Sequence, residues 1–167
     1  MKHAFIALGS NLADPILQVK SALVALSHIP ETRVIKHSSL YRTAPIDCPQ
    51  TSEAAVPDFI NAVAEVETAL SAEALLQALH QIEDRAGRMR PYQNAPRVLD
   101  CDLLLYGDEE RHSQKLTLPH PRMHSRGFVL LPLFEIAPQL ILPKHGKIAQ
   151  LMTPELAQGI QKLENHL

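Results

Sequence analysis

The sequence predicts an α+β sandwich on a mostly antiparallel sheet. Three observations carry that reading. Two strand–helix–strand patterns follow one another, the connections between elements are long, and residues 59–67 alternate with a period of two. The 167 residues suit one domain, expected to span 1–167, and a chain of that length buries roughly 70% of its unfolded surface.

The elements follow in order. Residues 3–8 are a short apolar run ending at Gly9-Ser10-Asn11, the pattern of a buried strand before a turn. Asp14-Pro15 reads as N-cap and first helical position, with Ile16, Val19, Leu23 and Leu26 at helical spacing and Pro30 as the stop. Residues 33–43 have strand character. Residues 44–58 hold three prolines among polar residues and are expected to form a mobile loop. In the strand at 59–67, Ile60, Ala62, Ala64 and Val66 share a face, while Asn61, Glu65 and Glu67 mark the other. Ser71 caps a second helix carrying Leu75, Leu76, Leu79 and Ile82, and Gly87 ends it. Residues 88–96 form a loop, and 98–106 are the best strand in the chain. A third helix is expected over 127–136, with Pro132 as an interruption, and a weaker one over 151–163.

Composition excludes several classes. Apolar residues make up 46% and charged ones 20%, which rules out intrinsic disorder. No apolar run reaches the ~18 residues of a membrane span, and the N-terminal stretch is too short for a signal peptide. A net charge of −2 gives no field for a polyanion. The charge is nevertheless uneven. Seven of nine arginines, Arg85, Arg88, Arg90, Arg97, Arg111, Arg122 and Arg126, fall within residues 85–126, which suits a small anionic ligand. Cys48 and Cys101 lack metal or redox spacing, and Cys101 is expected as a buried free thiol in a reducing cytoplasm.

The strongest chemical motif is Arg97-Val98-Leu99-Asp100-Cys101-Asp102-Leu103. In a strand, Asp100 and Asp102 share one face, while Leu99, Cys101, Leu103 and Leu105 are expected to point into the core. Two carboxylates ~5 Å apart repel by about 3 kcal/mol at an effective dielectric of ~20, which a bound cation relieves. Magnesium takes one or two carboxylates plus substrate phosphates. Arg97 can add bidentate phosphate contacts. A second motif is Leu118-Pro119-His120-Pro121-Arg122-Met123-His124-Ser125-Arg126. His120 and His124 are four apart, but without H-E-x-x-H or a third soft ligand they are a poor zinc pair. A phosphate-facing His120 with Arg126 at a helix entrance fits better. Neither a P-loop nor G-x-G-x-x-G is present.

Six ordered blocks then carry a resemblance: residues 6–12, Ser39-Leu40-Tyr41-Arg42-Thr43, Pro57-Asp58-Phe59-Ile60-Asn61-Ala62, 82–88, 95–105 and 116–134. The chain resembles the 6-hydroxymethyl-7,8-dihydropterin pyrophosphokinases of folate biosynthesis. The resemblance implies a ferredoxin-like fold and transfer of the β,γ-diphosphate of ATP to the pterin hydroxymethyl group, releasing AMP. It implies two Mg2+ ions held by Asp100 and Asp102. It gives Arg97, His120 and Arg126 to ATP phosphates, Glu83 and Thr117 to the nucleoside side, and Arg88 and Arg90 to a catalytic loop. It places the pterin between Phe59 and Phe128, with Asn61 on its polar edge and Thr43 and Ile46 alongside. The partners implied are ATP and 6-hydroxymethyl-7,8-dihydropterin, with no nucleic acid and no membrane, for a cytoplasmic monomer. The alternative is a catalytically silent relative that binds nucleotide or pterin, suggested by Gln93 where the family usually has a basic residue. An RNA-binding module is disfavoured by the charge and by the lack of an aromatic RNP pattern.

Overall fold

Three central strands with buried residues on both faces organise the molecule. The structure is a computed structural model and describes residues 1–12, 14–44, 58–87 and 98–163. Its elements are β1 (Lys2–Ser10), α1 (Pro15–Leu26), β2 (Thr32–His37), β3 (Leu40–Thr43), β4 (Phe59–Thr68), α2 (Ala72–Ala86) and β5 (Asp100–Tyr106). There follow β6 (Arg111–His112), β7 (Thr117–Leu118), a 3-10 turn (Met123–Ser125) and α3 (Gly127–Ile136). The chain continues with β8 (Ile141–Leu142), β9 (Gly146–Lys147), α4 (Ile148–Leu151), α5 (Pro154–Ala157) and β10 (Ile160–Leu163).

The main sheet runs β10-β3-β4-β1-β5, with β2 also on β4, and its pairs are antiparallel. β2 and β3 occupy the same side of β4 in tandem. Between them Ser38 turns the chain: its N–H donates to Val63 O at 2.8 Å, and its Oγ accepts from Val63 N at 2.9 Å. A hydroxyl thus stands in where a carbonyl would close the ladder, and no buried donor is orphaned. With β2 and β3 counted as one bent strand, the order is the ferredoxin-like one that the resemblance implied.

On one face, Ala4, Ile6 and Leu8 of β1 join Ile60, Ala62, Ala64 and Val66 of β4 and Cys101 and Leu103 of β5. Val19, Ala22, Leu23 and Leu26 of α1 and Leu75, Leu79 and Ile82 of α2 cover them. Each fully buried leucine there contributes about 1.5–3 kcal/mol. Both helices start as read. Asp14 accepts from Leu17 N at 3.4 Å, and Ser71 accepts from Ala74 N at 3.1 Å. On the other face, Phe5, Val63, Leu104 and Leu105 pack against Val129, Leu130, Leu133 and Ile136 of α3. Helix α3 runs through Pro132 without ending.

Two expectations are corrected. Leu105 joins the α3 face, not the core beneath α1 and α2. Between β1 and β5 the register slips at Phe5/Ile6, with Phe5 opposite Leu105 but Ile6 opposite Leu103. A bulge inserts one residue, so every side chain beyond it changes face. The C-terminal segment is not one helix. Thr153-Pro154 starts only the short α5, Gly159 takes φ 78°, and Ile160–Leu163 pairs with β3. Cys101 is a buried free thiol, as expected. Residues 45–57, with Ile46 and Cys48, and residues 88–97, with Arg88, Arg90, Gln93 and Arg97, lie outside the described residues.

Candidate active site

The α3 face is filled by α3 along only part of its length. Beyond it, the same strands line a cavity of ≈ 480 Å³. Its floor is β1. Gly9 is in register with Asn61 on one side and Asp100 on the other, and Ala7 lies opposite Asp102. These are small residues for a reason. A Cβ on Gly9 would lie 2.8 Å from Asn61 Oδ1. Leaving it out lets the amide oxygen lean over the strand.

Thr43 of β3 and Phe59 of β4 are cross-strand partners and form one wall. Asn61 Nδ2 donates to Thr43 Oγ1 at 3.2 Å, so Thr43 orients the amide. Asp100 and Asp102 both reach the cavity from β5, on the face the alternation gave them. Arg122, Ser125, Arg126, Phe128 and Val129 close another wall. The Arg126 guanidinium carbon lies 5.6 Å from the Phe128 ring centroid, a cation–π contact. Helix α3 has no side-chain cap at Arg126, so its first N–H groups add positive potential beside the two arginines.

His120 is tied to this wall. Its backbone N–H donates to Leu104 O at 2.9 Å, and its Nδ1 accepts from Arg122 N at 3.3 Å. That bond assigns the ring proton to Nε2. Burial pushes the imidazole below its ordinary value; the Asp102 charge pulls it back up, and Arg126 and Arg122 push it down again. At neutral pH His120 is therefore a neutral Nε2–H donor beside two arginines and an aspartate. His124 stacks on His145 instead, with ring centroids 3.9 Å apart, so His120 and His124 form no metal pair.

Three of the predicted residues described do not line the cavity: His120, which is tied to the chain behind its wall, Thr117 and Glu83. Thr117 lies in β7 opposite His112, and its Oγ1 donates to Ser113 O at 3.4 Å. Glu83, on α2, accepts the Cys101 N–H at 2.8 Å. Conversely, Ala7, Gly9, Arg122 and Ser125 line the cavity without having been assigned to it. Arg122 carried a signal in the arginine cluster. Ala7 and Gly9 carried none beyond their small size, because residues 3–8 read as a continuous apolar run.

The donor set fits magnesium. Asp100 and Asp102 supply hard oxygens beside a cationic wall, and among the described residues no cluster of three or more His, Cys, Asp or Glu could hold a metal by itself. An ion with two protein carboxylates completes its shell from water and substrate phosphates, as magnesium does.

The pattern of the 7,8-dihydro-6-hydroxymethylpterin-pyrophosphokinase (HPPK) family matches residues 5–138. The chain belongs to the HPPK family. It is 46% identical over 152 residues to the 2-amino-4-hydroxy-6-hydroxymethyldihydropteridine pyrophosphokinase of Haemophilus influenzae, covering 91% of this chain and 92% of the relative. It is 39% identical over 163 residues to the Pseudomonas aeruginosa protein of the same name, covering 98% of each. Among solved structures, wild-type Plasmodium falciparum HPPK-DHPS with SDX-DHP superposes with a TM-score of 0.72 at 15% identity. That likeness speaks for the fold and spans 97% of this chain but 47% of the larger one. Members of the family are ATP-dependent diphosphotransferases, and this chain is an enzyme of that class. Among the described residues no helix is long and apolar enough to cross a membrane.

Proposed function

We propose that the chain transfers the β,γ-diphosphate of ATP to the hydroxymethyl group of 6-hydroxymethyl-7,8-dihydropterin, giving AMP and the pterin diphosphate for folate synthesis. The observation that carries the site assignment is the convergence, in one cavity, of Asp100 and Asp102 with Arg122 and Arg126 and with Asn61, Phe59 and Phe128. A cationic wall, an acidic pair and an aromatic-amide recess are the parts that a triphosphate and a flat polar heterocycle require.

Each residue has a task. Phe59 and Phe128 offer ring faces for stacking. Asn61 reads the heterocycle edge through Oδ1, while its Nδ2 is held by Thr43. Arg122, Arg126 and the α3 N-terminus bind phosphate oxygens, and His120 donates from Nε2 without adding charge. Asp100 and Asp102 hold two magnesium ions in this reading. When bound, magnesium neutralises phosphate charge and stabilises an in-line displacement. Arg88, Arg90 and Arg97 belong to the same reading, as phosphate contacts from residues outside those described, and Ile46 belongs to the pterin side. Thr117 is assigned to the nucleoside side. The whole chain, 1–167, acts as one cytoplasmic, monomeric domain, with no nucleic-acid partner.

Nucleotide analysis tests the proposal. With ATP, magnesium and the pterin alcohol, the products are AMP and pterin diphosphate. ADP would mean single-phosphate transfer, and bound ATP with no product would mean a silent relative.

A further inference from the structure

Strand β5 ends the main sheet on one side, so β1 covers one of its edges and the other is left without a strand partner among the described residues. In an antiparallel edge strand, alternate N–H groups face the neighbour and the rest face outward. The Cys101 N–H is an outward one. It sits between Asp100 and Asp102, and the Glu83 Oε2 takes it at 2.8 Å from the last turn of α2. The Cys101 side chain points the other way from the aspartates, into the core beneath α1 and α2. Burial first, then the charges of Glu83, Asp102 and Asp100, push its thiol well above the ordinary value. The Cys101 backbone N–H, flanked by two carboxylates in sequence, is thus held by a third.

We propose that Glu83 is a positioning residue for the acidic pair: by gripping the Cys101 amide at the open edge of β5, it fixes the spacing and aim of Asp100 and Asp102. The proposal rests on the pyrophosphokinase reading of the cavity, and it reassigns Glu83 from nucleoside contact to strand anchor. An edge strand held on one side twists and frays more readily than a central one. A strand shift that would be harmless in a structural element would separate two carboxylates that must share a cation and its phosphates. A charged acceptor is suited to the task, because a carboxylate binds an amide about twice as strongly as a neutral acceptor. Residues that orient metal ligands typically alter metal affinity by roughly 10–100-fold when lost.

The test uses the full chain and two magnesium-dependent probes: a non-hydrolysable ATP analogue, and inorganic tripolyphosphate, which has no nucleoside. Affinities come from calorimetry. Protection of the Cys101 amide comes from hydrogen exchange followed by NMR. Glu83→Ala is expected to weaken both probes by about 10–100-fold and to lower Cys101 protection. Glu83→Gln, which keeps an acceptor oxygen, restores most of the affinity and protection. Asp84→Ala, on the exposed side of the same helix turn, changes neither. A loss confined to the ATP analogue overturns the proposal in favour of a nucleoside contact, and so does unchanged affinity for both probes. If Glu83→Ala does not fold, Glu83→Met, which keeps side-chain volume and helix propensity but offers the amide no oxygen, takes its place: weaker binding of both probes with lower Cys101 protection supports the anchor, and unchanged affinity overturns it. The readout needs no turnover. Failure of the product assay with this order of affinities intact would sink the pyrophosphokinase reading and leave the anchor standing.

Discussion

The two faces of the main sheet are made by the same strands, and they do opposite work. Toward α1 and α2 the alternate positions are Ala4, Ile6, Leu8, Ala62, Val66, Cys101 and Leu103, all buried. Toward α3 the positions one residue away are Gly9, Asn61, Asp100 and Asp102, which line the cavity. Two adjacent residues, Asp102 and Leu103, therefore belong to different problems. One presents a carboxylate to the cavity, and the other fills space against a helix. The candidate site residues thus occupy the stretch of the α3 face that α3 itself leaves uncovered.

That contrast can be broken experimentally, and the largest effect is expected at the acidic pair. Asp102→Asn should lower kcat on the order of 10²–10³-fold while the urea unfolding midpoint stays near that of the parent. A large drop in stability with little loss of turnover would reverse the roles of the faces. On the other side, Leu79→Ala leaves a cavity under α2 and should cost about 2–5 kcal/mol in urea unfolding, with KM for both substrates unchanged below the transition. Gly9→Ala is smaller and mixed. Its new Cβ meets Asn61 Oδ1 at 2.8 Å, so pterin affinity should fall by about tenfold, measured by calorimetry, with ATP affinity less affected.

The smallest effect lies where α3 meets β3. Glu135 Oε1 accepts from Tyr41 OH at 2.7 Å and from Ser39 N at 3.0 Å. Burial pushes the Glu135 carboxyl up, but the bonds from Tyr41 and Ser39 and the Lys162 charge prevail and hold it below its ordinary value of 4.5. The unfolded chain then binds more protons than the folded one in the window just below 4.5, so stability rises with pH there. The contribution is complete above that value and is lost as pH falls through the folded-state value. Tyr41→Phe should remove about 1 kcal/mol at pH 7 and flatten the acid limb of the urea midpoint below pH 4.5. An unchanged acid limb would show that Glu135 is not the group responsible.

Much of the site was legible because it follows from period two. Asp100 and Asp102 could be placed on one face, and Asn61 opposite Ile60 and Ala62, without any knowledge of neighbours. Caps were legible as well, since Asp14, Ser71 and Gly87 act locally. What escaped depended on distant partners. The face of Leu105 turns on a bulge defined by pairing with β1, and β10 exists because β3 offers it an edge. Arg122 stood in the arginine cluster, but only the folded chain brings it to the cavity that Asp102 also lines. Glu83 was found from resemblance, and its bond to Cys101 could not be read from a spacing of 18 residues.

The most direct test is an amide-shift map of the isotopically labelled chain, titrated with a non-hydrolysable ATP analogue, magnesium and the pterin alcohol. The account predicts perturbations concentrated at Gly9, Asn61, Asp100, Asp102, Arg122, Arg126 and Phe128, with α1 and the inner face of α2 silent. Perturbations centred on α1, or at the opposite end of the sheet around His3, Lys36 and Asp108, would contradict it.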